Sequence, residues 1–147
     1  MPFVYLLRHA KALKHGDTDH ARKLSEKGES QALALSTWLV QSGVTFDQVI
    51  VSHSARTMET LELLDLDSKI SIEPKAYNAS AQTLGEFIRE SGAQESVLVI
   101  AHNPGVSDLC QRAGYGLELR TGELVILECP TSISEFSPET CDVVGNY

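Results

Sequence analysis

Three short runs, Phe3 to Leu7, Gln48 to Ser52 and Ser96 to Ala101, are apolar and β-branched through their interiors and show no helical spacing. Runs of this kind are expected of strands covered on both faces, as in a parallel sheet. Ile70 to Ile72, Leu124 to Cys129 and Ile133 to Phe136 read as further strands, the last two paired across Pro130 to Ser132. The order of the strands is not contained in this pattern.

Between the strands the spacing changes to that of helices. Ser25 is a candidate N-cap for a helix in which Ala32, Leu35 and Leu39 recur on one face until Gly43 offers a stop. Ser54 caps a second helix carrying Met58, Leu61 and Leu64, and Ser80 a third with Leu84, Phe87 and Ile88 inward, ending at Gly92. Asn103-Pro104 reads as a cap followed by proline in the first turn of a fourth. Strands alternating with helices imply an α/β sandwich.

A chain of 147 residues suits one domain, so residues 1–147 are expected to form a single unit, with a weakly patterned tail from about Cys141 to Tyr147. The longest apolar runs are strand-length, and the N-terminus lacks a basic region followed by an apolar stretch and a cleavage site. A soluble, cytoplasmic protein is expected. Cys110, Cys129 and Cys141 are odd in number and widely spaced, which suggests neither a disulfide framework nor a metal knuckle. A net charge of -8 makes the average surface repel nucleic acid and anionic lipid, so neither is an expected partner. Any phosphate recognised by such a chain must be caught locally.

The strand ends supply the means. In open α/β sheets the ligand crevice lies beyond the carboxyl ends of the strands. The run "VYLLRHAKA" places Arg8 and His9 there, "VIVSHSARTMET" puts Arg56 in the first turn of a helix, and "SVLVIAHNPG" delivers His102. A single Arg or His after a strand is commonly only a solvated side chain. Guanidinium groups converging with imidazoles are another matter, because they repel one another unless a multiply charged anion sits between them. A phosphoryl group fits, since planar guanidiniums bind its oxygens in a bidentate way.

"LLRHAKA", "RKLSEKG", "SHSARTMET" and "VLVIAHNPGV" occur in that order between Val4 and about Leu109. This ordered set resembles the histidine phosphatase superfamily, and specifically its small SixA-type phosphohistidine phosphatase branch. The resemblance implies a three-layer α/β/α sandwich with a mostly parallel central sheet, phosphoglycerate mutase-like. It also implies a phosphatase that works without metal or cofactor through a phosphohistidine enzyme intermediate. Its implied partner is a protein bearing phosphohistidine, a phosphorelay histidine domain or a phosphotransferase-system carrier.

By the same resemblance His9 matches the nucleophile, and Arg8, Arg56 and His102 match the phosphate pocket. Arg22, in "HARKLSEKG", either reaches the phosphate or orders the loop from Lys11 to Leu24. Chemistry supports these roles: nearby guanidiniums and a second histidine discourage protonation of His9, keeping its lone pair available. In the loose transition state of phosphoryl transfer, Arg8, Arg56 and His102 would face the charged equatorial oxygens. Ser52 and Thr57 are expected to order the turn, and Asn103 to cap its helix.

Many superfamily members have glycine after the Arg-His pair; Ala10 stands here, as the SixA-type branch accepts. The larger, phosphoester-cleaving members carry a carboxylic acid after the second arginine, where this chain offers Tyr77 and Asn78, with Glu73 as the remaining candidate. A missing acid suits a leaving imidazole better than a leaving alkoxide. A cysteine-based phosphatase needs Arg six residues after Cys, and Gly116, Glu135 and Tyr147 occupy those positions. The segment His15 to His20, "HGDTDH", has a metal-like composition but reads as a loop. A phosphatase acting on a small phosphoester or another phosphoprotein, and a phosphate-binding module without turnover, remain as alternatives.

Overall fold

The computed structural model describes residues 1–147. Its elements run β1 (Phe3–Arg8), α1 (Glu26–Ser42), β2 (Gln48–Ser52), α2 (Ala55–Leu64), β3 (Lys69–Glu73), α3 (Ala81–Glu90), β4 (Ser96–Ala101), α4 (Gly105–Arg112), β5 (Leu124–Glu128) and β6 (Asp142–Asn146). The three apolar runs became β1, β2 and β4, the most buried strands. Helix starts follow local chemistry: Ser25 accepts from the Gly28 amide, Ser54 and Thr57 form a reciprocal capping box, and Ser80 accepts from the Thr83 amide. Gly43 closes α1 at φ 69°, a left-handed conformation that glycine adopts without steric cost.

The six strands form one sheet in the order β3-β2-β4-β1-β5-β6. The first four are mutually parallel, and β5 and β6 are antiparallel additions. Alternation along each strand divides the core. Val4, Leu6, Ile50, Val97 and Val99 face α3 and α4; Tyr5, Leu7, Val49, Val51, Leu98 and Ile100 face α1 and α2. The result is the expected α/β/α sandwich with a mostly parallel sheet.

The C-terminal third departs from expectation. Ile133 to Phe136 is not a strand: Ile133–Glu135 is a 3₁₀ turn whose Ile133 and Phe136 are buried in the core shared with α3 and α4. The supposed tail supplies the missing strand instead. Asp142–Asn146 pairs with β5 as an edge, with a bulge opposite Ile126 and Leu127. Its alternate residues stay exposed, which is why the segment looks weakly patterned.

Close backbone approaches fix two loops beside the strand ends. A Cβ on Gly28 would lie 2.0 Å from the Lys11 carbonyl oxygen, and one on Gly105 1.9 Å from that of Ala79. Only glycine lets the loop after β1 lie on α1, and the start of α4 lie against the segment preceding α3. No helix is long and apolar enough to cross a membrane.

Candidate active site

The chain leaves β1 toward α1 on one face and leaves the adjacent β4 toward α4 on the other, so the carboxyl ends of these neighbours form the switch point at which open α/β sheets place their ligands. Arg8 is the last residue of β1, in register with Ala101 at the end of β4. His9 and His102 follow directly, and the His9 amide donates to the Ala101 carbonyl at 3.1 Å. The imidazole centroids are 5.3 Å apart. Arg56, on the first turn of α2, brings its Nε to 3.3 Å from Nε2 of His9. Arg8, His9, Arg56 and His102 are thus brought together, and His9, Arg56 and His102 are buried.

The tautomer of His9 follows from its neighbour. Nδ1 lies 2.7 Å from the carbonyl oxygen of Ala10, which can only accept, so Nδ1 carries the proton and Nε2 keeps its lone pair. Ala10 is itself held by Thr60, whose Oγ1 accepts from the Ala10 amide at 3.0 Å and donates to the Arg56 carbonyl at 2.7 Å. Burial pushes the His9 pKa down to about 4, helped by the charges of Arg56, Arg8 and Arg22 and opposed by the Ala10 hydrogen bond. His102 falls to about 3, chiefly through burial and then through His9 and Arg56. Both imidazoles are neutral near pH 7.

His102 and Ser52 are paired, Nε2 to Oγ, at 2.7 Å. Ser52 therefore touches a pocket residue as well as the turn, which its position alone did not reveal. Thr57 does order the turn, donating to the Ser52 carbonyl at 2.6 Å. Asn103 does not cap α4: Pro104 occupies the cap position without a side-chain bond. The Asn103 amide instead donates to Glu118 and to the Leu119 carbonyl and accepts from Ser107, tying the strand-end turn to the loop before β5. Arg8 donates to the same Leu119 carbonyl at 3.0 Å.

A residue that the sequence did not single out joins the group. Asp19, in the loop after β1, accepts from Arg56 Nη2 at 3.1 Å and from Arg22 Nη1 at 2.9 Å, and its carbonyl accepts from Arg56 Nη1 at 2.8 Å. Tyr77 donates its hydroxyl to the same carboxylate and sets its ring edge-on to His102 at 5.3 Å. Hydrogen bonds from Tyr77 and Arg22 hold the Asp19 carboxyl well below the usual range. Arg22 also donates to the Leu13 carbonyl at 2.7 Å, so it orders the loop as well as placing charge near His9. Asp19 lay in the polar, metal-like stretch His15 to His20, which reads as a loop, and no spacing linked it to Arg56.

Two other carboxyl groups near the strand ends, Glu73 and Glu123, are engaged elsewhere. Glu73 accepts from Ser71 Oγ at 2.8 Å along its own strand and lines a groove with Lys69 and Phe87. Glu123 accepts from Tyr115 and the Arg120 amide and is likewise held below its ordinary pKa. Asn78 sits at φ 54° in the turn before α3. No group of three or more His, Cys, Asp or Glu side chains is gathered as a cation site; within "HGDTDH", His20 packs on Tyr77 and His53 while Asp19 serves the arginines.

Two buried polar side-chain atoms have no hydrogen-bond partner, Arg8 Nε and His102 Nδ1, and both belong to this cluster. Unsatisfied buried polar atoms are costly, and both of these fall in the cluster at the strand ends.

Known proteins share sequence and fold with this chain. The family model of the histidine phosphatase superfamily (branch 1) matches residues 4–77. An uncharacterized protein of Mycobacterium tuberculosis (strain ATCC 25618 / H37Rv) is 31% identical over 130 residues, covering 86% of this chain and 82% of the relative. A phosphohistidine phosphatase SixA homolog of Haemophilus influenzae is 28% identical over 121 residues, covering 72% and 73%. The chain also matches the Pgam5 phosphatase of Drosophila grimshawi, but spans only 21% of its length. A structure from Nakamurella multipartitia superposes with a TM-score of 0.89 at 20% identity, over 99% of this chain and 95% of that one. The protein histidine phosphatase SixA complexed with tungstate does so at 0.82 and 22% identity, over 98% and 95%. These structural likenesses establish a shared fold.

Proposed function

Because the chain belongs to the histidine phosphatase superfamily, we propose that it is a metal-independent phosphohistidine phosphatase that removes the phosphoryl group from a histidine of a partner protein through a phospho-His9 intermediate. The observation that carries this reading is the pair of unpartnered buried atoms, Arg8 Nε and His102 Nδ1, in the same cluster as the lone-pair nitrogen of His9. A phosphoryl group between them would satisfy both, and tungstate, a phosphate-like oxyanion, is bound by a protein histidine phosphatase of this fold.

In the first step Nε2 of His9 attacks phosphorus as the bond from phosphorus to the partner's imidazole nitrogen breaks. The leaving imidazole departs neutral when its other nitrogen already carries a proton. Arg8 and Arg56 hold the equatorial oxygens. His102 donates from Nδ1, which requires Ser52 to donate to Nε2. In the second step water attacks phospho-His9, the nitrogen–phosphorus bond breaks, and inorganic phosphate leaves.

The phosphohistidine reading is favoured over a phosphoester substrate by the carboxyl groups. Asp19 and Glu123 are both shifted toward the ionised form, and Glu73 is turned along β3, so none of these three is poised to protonate an alkoxide. Trapping with labelled phosphoramidate and an alkaline quench tests the intermediate. Label on His9 is expected; label on Asp19 or a cysteine, or turnover that survives His9→Ala, overturns the mechanism. A phosphohistidine protein should also be turned over in the presence of chelator.

A further inference from the structure

The outer edge of the sheet is formed by β3, which pairs with β2 alone, in unbroken register from Gln48 with Lys69 to Ser52 with Glu73. An open edge is a template for another strand, and proteins usually blunt it. At the opposite edge β6 carries a bulge and Gly145. β3 has neither, and its Ile70 and Ile72 are 42% and 46% exposed. Both isoleucines lie on the α2 side of the sheet, in register with Val49 and Val51, and a groove beside Ile70 is lined by Met58, Leu61 and Leu66. Lys69, Ser71 and Glu73 lie on the α3 side, in the groove with Phe87.

The sequence of this edge, Lys-Ile-Ser-Ile-Glu, is complementary to itself when reversed. We propose that β3 is the self-association surface of the protein, pairing antiparallel with β3 of a second copy about a two-fold axis that passes between the two Ser71 residues, perpendicular to the sheet. That axis sets Lys69 opposite Glu73 of the second copy on the α3 side, in both symmetric positions. It sets Ile70 opposite Ile72 of the second copy on the α2 side, and Ser71 opposite its equivalent. Directly opposed residues in an antiparallel pair share a face, so charge meets charge and apolar side chain meets apolar side chain. A one-residue slip would place isoleucine against the charged face. The occupant that satisfies all five positions is therefore another copy of this strand.

Five paired residues supply only part of the roughly 1,600 Å² buried in a typical stable complex. Met58, Leu66 and Phe87 flank the edge and extend the contact, and a reversible dimer with micromolar affinity is expected. Strand directions are opposed across the axis, so the two candidate active sites open at opposite ends of the joined sheet.

Sedimentation velocity over a concentration series reaching the high micromolar range tests this. The unmodified protein should show a monomer–dimer equilibrium. Lys69→Glu and Glu73→Lys should each weaken it by about tenfold or more, since two attractions become repulsions. The double variant K69E/E73K should restore it, and an equimolar mixture of the two single variants should form a heterodimer. Lys69 is exposed and Glu73 half-buried, and circular dichroism would verify that each variant is folded. A monomer at every concentration, a dimer indifferent to the single reversals, or no recovery in both the double variant and the mixture overturns the proposal.

Discussion

Nε of Arg56 lies 3.3 Å from Nε2 of His9, so the guanidinium proposed to clamp a phosphoryl oxygen already touches the nitrogen proposed to attack phosphorus. The other two nitrogens of Arg56 are held by Asp19, one on its backbone carbonyl and one on its carboxylate. Arg56 thus arrives oriented, and the loop after β1 is what orients it.

Arg56→Ala should lower kcat on phosphoramidate by about 10²–10³, or roughly 2.7 to 4 kcal/mol of transition-state stabilisation. Arg56→Lys should recover little of this, because an ammonium cannot contact His9 and both positions of Asp19 at once. Steady-state rates of the two variants check it; full activity of the lysine variant would show that charge alone suffices.

Asp19→Ala should reduce kcat about tenfold by freeing Arg56, and should also tighten inhibition by inorganic phosphate, since the pocket gains a net positive charge. Asp19→Asn keeps an acceptor for Arg56 and should restore most of kcat while retaining the tighter phosphate inhibition. A merely structural role for Asp19 would change neither the inhibition constant nor its response to asparagine.

The histidines make stability depend on pH. An unfolded histidine titrates near pH 6.5, whereas His9 and His102 in the folded protein titrate at about 4 and about 3. Between those values the unfolded chain binds more protons, so the stabilising contribution is complete above about pH 6.5 and is lost as pH falls toward the folded values. The loss at pH 5 should be on the order of 2 kcal/mol for each histidine. Urea unfolding should show it, with a shallower decline in His9→Asn and in His102→Asn.

With none of Asp19, Glu73 and Glu123 poised as an acid, rates should depend steeply on leaving-group basicity, with phosphoramidates and activated aryl phosphates cleaved and alkyl phosphates almost inert. Glu73→Gln should leave that dependence unchanged, because Glu73 is bonded to Ser71 on its own strand. Initial rates across a leaving-group series, with chelator present, decide the point; alkyl phosphate hydrolysis that disappears in Glu73→Gln would reinstate a general acid.

Gly105→Ala would drive a Cβ to 1.9 Å from the Ala79 carbonyl oxygen, a backbone atom that cannot swing aside. A cost of about 1–3 kcal/mol in stability is expected, together with reduced kcat, because the displaced turn carries His102. Gly116→Ala, with nothing within 4 Å of the added methyl, should behave like the unmodified protein in thermal unfolding and in rate.

What the sequence determined by itself is what short-range physics governs. Buried strands read as β-branched runs, and Ser25, Ser54 and Ser80 announce helices because a cap bonds an amide three residues away. Arg8, His9, Arg56 and His102 were legible because strand ends of a parallel sheet share one edge, whatever the strand order. Only the tertiary structure decided the rest. Ile133 and Phe136 look like strand residues, yet they are buried as a 3₁₀ turn because a pre-existing core receives them, and Asp142–Asn146 is a strand only because β5 offers its edge. Asp19 meets Arg56 across 37 residues and Tyr77 across 58, separations over which no local spacing carries information. Which nitrogen of His9 is left free was set the same way: the neighbouring Ala10 carbonyl can claim Nδ1 only where the chain turns out of β1, and that turn is fixed by Thr60, 50 residues away, holding the Ala10 amide.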